Sequence, residues 1–144
     1  MRLRANDVLD RIEVLPKPDV WNARSDLLER SAHLLPDDRR LIELVVKNQL
    51  SQRPLAELLD IPAGTVCRRV RKLINRMCDP MVIALLATSN PVPPEHRQLA
   101  IEYWLQGQTK LQLAELHQMP LSEVVRMLEF VRGWHRATTT LARR

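Results

Sequence analysis

At a constant offset of 58 residues and without a gap, the second half of this chain repeats the first. Pro36 falls on Pro94, Arg39 on Arg97 and Leu41 on Leu99. Leu55-Ala56-Glu57-Leu58 falls on Leu113-Ala114-Glu115-Leu116, Pro62 on Pro120, Val66 on Val124 and Arg68 on Arg126. An unbroken run of identity with further matches in one register is hard to produce by amphipathicity alone. Whatever fold the first copy adopts, the second must adopt as well. At 144 residues there is room for one ordinary domain or two small units, and a large multidomain machine is excluded.

Composition decides what the repeated unit is made of. Aromatic residues are few (three Trp, one Tyr, one Phe) and there are only three Gly, while Leu, Ala, Arg, Glu and Gln abound. That mixture favours helix over strand. With 45% apolar residues the chain can bury a core without metal or disulfides. The expected fold class is all-α, a helical bundle with two tandem helix-turn-helix units. Cys67 and Cys78 have no C-x-x-C spacing, so they read as reduced thiols, and no zinc site or other cofactor is expected. The opening Met1-Arg2-Leu3-Arg4 leads into polar residues, and the longest apolar run, 81–87, falls far short of the roughly 20 residues of a membrane span. The expectation is a soluble, cytoplasmic protein without a membrane partner.

Ten prolines punctuate the chain, most of them between segments of helical periodicity. The pattern predicts helices over 7–14, over 19–34 with Asp19 as a cap, and over 37–48. A compact helical unit follows over 51–77, then a short helix over 79–88. The proline-rich stretch 89–94 reads as a linker, residues 95 to about 136 as helical again, and the tail to 144 as frayed. The expected division is 1–34 bracing helices, 35–88 the first helix-turn-helix, 89–94 linker, and 95–144 a degenerate second copy. Residues 1–34 balance six basic against six acidic groups and offer Val8, Leu9, Ile12, Trp21, Leu27 and Leu28 for packing, which suits bracing helices or a dimerisation arm.

In the first copy, Val66, Val70, Leu73, Ile74 and Met77 form one apolar stripe at helical spacing, which must face a core. The opposite face carries Ala63, Gly64, Cys67, Arg68, Arg71, Lys72 and Asn75, flanked by Arg69 and Arg76, so the helix holds five positive charges and no acid. A shorter helix precedes it, with Ser51 placed as a cap, Pro54 in its first turn and Ala56 small enough for a close helix crossing. Asp60 and Ile61 form the corner, and Asp tolerates the left-handed conformation such corners often need. These are the parts of a helix-turn-helix. A major groove admits one helix whose early residues are small, while arginines read guanine or grip phosphates. The alternative is a solvated basic face on a helical hairpin.

These residues resemble a known family. Leu34-Leu35-Pro36-Asp37-Asp38-Arg39-Arg40-Leu41, Leu50-Ser51, Leu55-Ala56-Glu57-Leu58-Leu59 and Ile61-Pro62-Ala63-Gly64-Thr65-Val66, followed by Arg69-Val70-Arg71, look like region 4 of bacterial sigma-70 family factors. The extracytoplasmic-function subgroup is the most similar, and response-regulator domains of the LuxR type share much of the pattern. The resemblance spans 34–77 and implies recognition of a minus-35 promoter element in the major groove, with a contact to RNA polymerase. Carried over by position, it implies that Ala63, Gly64, Cys67, Arg68 and Arg71 lie toward the groove, with Thr65 counted among the DNA-binding residues. It places Arg53, Arg69, Lys72 and Arg76 toward phosphates. Two departures stand out. The 34 residues upstream are too few for the aromatic-rich region 2 of a complete sigma factor, and Cys67 stands where the family usually has a polar or basic residue.

The second copy has lost this chemistry. The positions of Gly64, Cys67, Arg68, Arg71 and Lys72 become Ser122, Val125, Arg126, Glu129 and Phe130. Over 36–78 nine Lys+Arg face five Asp+Glu, whereas over 93–136 there are five of each. A carboxylate is repelled from a phosphate-lined groove. Copy two therefore reads as a packing or partner surface, with Val125 and Phe130 as candidate interface residues and Trp104 and Trp134 as core or interface anchors. A homodimer through the second repeat or the N-terminal helices is one partner reading. Catalysis is not expected: His33, His96, His117 and His135 are scattered and no pair has ligand spacing. The reading is a DNA-binding transcriptional regulator. The alternative is a protein-interaction module that contacts polymerase or a sigma factor without reading DNA.

Overall fold

The computed structural model of the chain describes residues 25–47, 52–87 and 89–142. Among them are eight helices and no strand, the all-α architecture expected from composition. We number them α1 (residues 25–31), α2 (Pro36–Val46), α3 (Gln52–Leu59), α4 (Ala63–Met77), α5 (Pro80–Leu86), α6 (Pro94–Trp104), α7 (Lys110–Leu116) and α8 (Leu121–Ala142). The helix expected over 7–14, the Asp19 cap and the Ser51 cap lie outside the described residues.

The chain divides into two compact units, Met1–Met77 and Cys78–Arg144. In the first, α4 packs on α3 and α2. The stripe Val66, Val70, Leu73, Ile74 and Met77 is buried, together with Leu41, Ile42, Val45 and Leu55 from the facing helices. Burying five such side chains on one helix is worth roughly 1.5–3 kcal/mol each against exposure, which is what holds α4 in place. Arg30 of α1 donates to the carbonyl oxygen of Met77 at 3.2 Å and so satisfies one orphan acceptor at the end of α4.

In the second unit α8 packs on α6 and α7, and α5 packs on α6. Asp79 caps α5 by accepting from the Met81 amide at 2.8 Å. Thr109 opens α7 in a capping box with Gln112, each side chain satisfying the other's backbone N–H. Three helices, α2, α5 and α6, begin on a proline, where the missing N–H would have no partner anyway.

The corners of the two units repeat one another in the register read from the sequence. Asp60 and Gln118, 58 apart, both adopt the left-handed conformation, with φ 55° and 52°. The amide of Ile61 donates to Ala56 O at 3.2 Å, and that of Met119 to Ala114 O at 3.0 Å. Val66 and Val124 donate to Pro62 O and Pro120 O. In both units a short helix, a left-handed corner and a longer helix make a helix-turn-helix.

Two expectations need correction. The segment 89–94 is not a free linker: Asn90 donates to Ala84 O at 2.7 Å and accepts from the Val92 amide at 2.8 Å, and Val92 is buried. Arg97 donates to Leu85 O at 2.6 Å, which ties α5 to α6, and the division between units falls at Met77 instead. Residues 95–136, read as helical, hold three helices, broken at Leu105–Thr109 and again at the left-handed Gln118. The tail does not fray from 136, because α8 runs on to Ala142.

Candidate nucleic-acid interface

The site is built on α4 because its apolar stripe leaves the other side of the helix no choice but to face outward. Ala63, Gly64, Arg68 and Lys72 are exposed there, with Thr65, Cys67, Arg71 and Arg76 half-buried along the same side and its flanks. Arg53 is exposed on α3. Arg68 folds back along its own helix, its guanidinium 3.4 Å from the Thr65 hydroxyl, a long contact that a stronger acceptor can displace. Within the first unit α4 therefore carries Arg68, Arg71, Lys72 and Arg76 on its outer side and flanks, while Arg53 stands on α3.

Gly64 is informative for what it does not do. A Cβ built there meets only the far end of the Arg68 side chain, at an ordinary 3.9 Å. Its backbone is ordinary right-handed helix. Nothing inside the unit requires glycine at this position, so its smallness matters only to what approaches from outside.

Arg69 departs from its expected phosphate role. Its Nε and Nη2 both donate to Asp38 Oδ1, at 3.2 and 2.9 Å, bridging α4 to α2. A guanidinium held this way braces the scaffold. A shallow cleft lies beside it, lined by Leu41, Leu59, Ile61, Asp37, Arg40 and Arg69.

The equivalent side of the second unit carries further apolar residues besides Val125 and Phe130. At the positions of Arg53, Ala63, Cys67 and Lys72 stand Leu111, Leu121, Val125 and Phe130. Leu111 is 65% exposed, Leu121 42% and Phe130 51%, and Val125 is half-buried. Phe130 leans edge-on against His96, ring centroids 5.0 Å apart. The 58-residue offset places Leu111 and Leu121 at the positions of Arg53 and Ala63, and that register is the signal in the sequence that marks them.

One of the scattered histidines, His117, is tied into the second unit. His117 Nε2 lies 2.5 Å from Glu102 Oε2, and Gln98 donates to the other carboxylate oxygen at 3.0 Å, so a buried carboxylate is satisfied from two sides. Their places in the first unit are held by Leu44, Leu59 and Arg40. Trp104 is half-buried with Arg132 over its ring, the guanidinium carbon 5.9 Å from the centroid. Among the described residues no group of three potential metal ligands converges, and no helix is long and apolar enough to cross a membrane. Compared with protein-family models, curated proteins and solved structures, the chain matches none.

Proposed function

We propose that this chain binds double-stranded DNA through the exposed face of α4 and acts as a transcriptional regulator in the bacterial cytoplasm, on the nucleoid when bound. The observation that carries the reading is a helix with five cations and no acid, set second in a helix-turn-helix with small residues leading its outer face. In a major groove, Ala63 and Gly64 let the helix approach base edges, Arg68 and Arg71 reach bases, and Arg53, Lys72 and Arg76 meet phosphates. Thr65 and Cys67 fill the space beside them. Arg69 holds the helix at its angle. The resemblance to sigma-70 region 4 supports the same reading and adds RNA polymerase as a partner to test.

The test is fluorescence anisotropy of labelled duplexes, random and minus-35-like, over a salt series. Three phosphate contacts give a log–log slope of about −3. Arg68→Glu with Arg71→Glu abolishes binding while leaving helix content intact, and Gly64→Leu weakens it without loss of stability. Binding that survives the double variant, or no binding at low salt, overturns the proposal and moves the weight to a module that contacts polymerase or a sigma factor.

A further inference from the structure

We propose that Arg68 reads the major-groove edge of one guanine and that Thr65 is the positioning residue that makes this reading possible. The inference rests on the DNA reading above and adds to it which base is selected and what aims the selector.

The repeat supplies the comparison. Arg68 and Arg126 hold the same place in the two helix-turn-helix units, but the residue one turn earlier is Thr65 in the first and Glu123 in the second. Glu123 takes Arg126 into an ion pair at 3.8 Å. Thr65 accepts from Arg68 Nη2 at 3.4 Å, a long bond to a neutral hydroxyl. In both units the guanidinium therefore turns back over the first turn of its helix. In the second a carboxylate meets its charge, and in the first the charge stays open to an incoming acceptor. Helix physics alone would favour an acid at position 65, because a carboxylate in the first turn is stabilising, and α8 has one there. The first turn of α4 has none, so threonine at this position serves what the helix meets and not the helix itself.

The hydroxyl aims the guanidinium without occupying it. Arginine presents five N–H donors in a rigid fork, and Thr65 takes one of them, which leaves a pair of parallel donors open. Thr65 is half-buried and branched at Cβ, so its Oγ1 has few positions to take. Nη1 passes 3.9 Å from the point where a Cβ would stand on Gly64, and a longer side chain there would crowd the fork. Two parallel donors select one base. Guanine alone offers two acceptors, O6 and N7, side by side in the major groove, whereas adenine sets a donor beside its N7.

The test starts with selection of duplexes from a random-sequence library by the full chain. Fluorescence anisotropy then compares the selected duplex with copies in which one G·C pair at a time becomes A·T, and the quantity read is the ratio of the two affinities. One guanine is expected to give a ratio of at least about tenfold. Arg68→Lys, which keeps the charge but loses the fork, and Thr65→Glu, which copies the second unit, both bring that ratio close to one at unchanged circular dichroism. Thr65→Val, of the same shape without the acceptor, lowers it, and Thr65→Ser, which retains the hydroxyl, keeps it. A selected duplex in which no guanine responds to Arg68→Lys, or a ratio indifferent to Thr65→Val and Thr65→Glu, overturns this inference while DNA binding stands. A chain that binds no duplex at low salt overturns the DNA reading and this inference with it, so the two failures are told apart.

Discussion

Two side-chain pairs show how a single residue can look functional in a sequence and be structural in the fold, or the reverse. Glu102 is a buried carboxylate whose partners are His117 and Gln98, and the same places in the first unit are held by Leu44, Leu59 and Arg40. Breaking a buried pair strands a charge, while replacing both partners by apolar residues removes the desolvation cost along with the attraction. His117→Leu alone should therefore lower stability by about 2 kcal/mol, and Glu102→Leu/His117→Leu should recover most of it, as read by urea denaturation. Arg69 is the converse case, since its charge suits a phosphate but its guanidinium is spent on Asp38. Because that pair is partly exposed, Arg69→Gln should cost only about 0.5–1 kcal/mol of stability. DNA affinity should hardly change, whereas Arg68→Gln should do the opposite, and measuring both variants for both properties separates brace from reader.

At the scale of elements, periodicity and punctuation made most of the fold legible. The stripe on α4 is buried residue for residue, Asp79 caps α5, and prolines open three helices. The left-handed corner was legible at Asp60, a residue that tolerates it, and the repeat register extends it to Gln118, where the local sequence gives no sign. Gln has no short polar side chain to support that conformation, so Gln118→Gly should stabilise the second unit by about 1 kcal/mol and Asp60→Gly the first by less, visible as a shift in Tm. What could not be read was anything set by contacts between segments distant in sequence. Asn90 and Arg97 fasten a stretch that composition marks as linker, and the repeated Leu58 and Leu116 stand about 60% exposed. Of the candidate site, the sidedness of α4 was legible because an apolar stripe fixes its opposite. The diversion of Arg69 to Asp38 was not, since it depends on how α2 meets α4. Gly133 belongs to this scale too. It sits inside α8 with open space where a Cβ would go, so Gly133→Ala should raise the stability of the dilute chain by about 0.5–1 kcal/mol in chemical denaturation.

For the molecule as a whole, the two units share a backbone plan and differ in electrostatics. Over 36–78 the balance is nine basic against five acidic groups, over 93–136 five against five, so nearly all of the net charge of +5 lies in the first copy. Such a division separates the tasks, because long-range attraction to a polyanion needs an excess of one sign while close packing with a protein needs none. A duplex should then leave an asymmetric footprint. In hydrogen exchange at low salt, added DNA should slow the amides of α3 and α4 and leave α7 and the first turns of α8 unchanged. Raising the salt should erase the protection in the first unit without altering exchange in the second, since only the first depends on released counterions. Equal protection of both helix-turn-helix units would mean that the second still meets DNA, and that its Glu129 and Phe130 are tolerated in a groove that physical chemistry says should reject them.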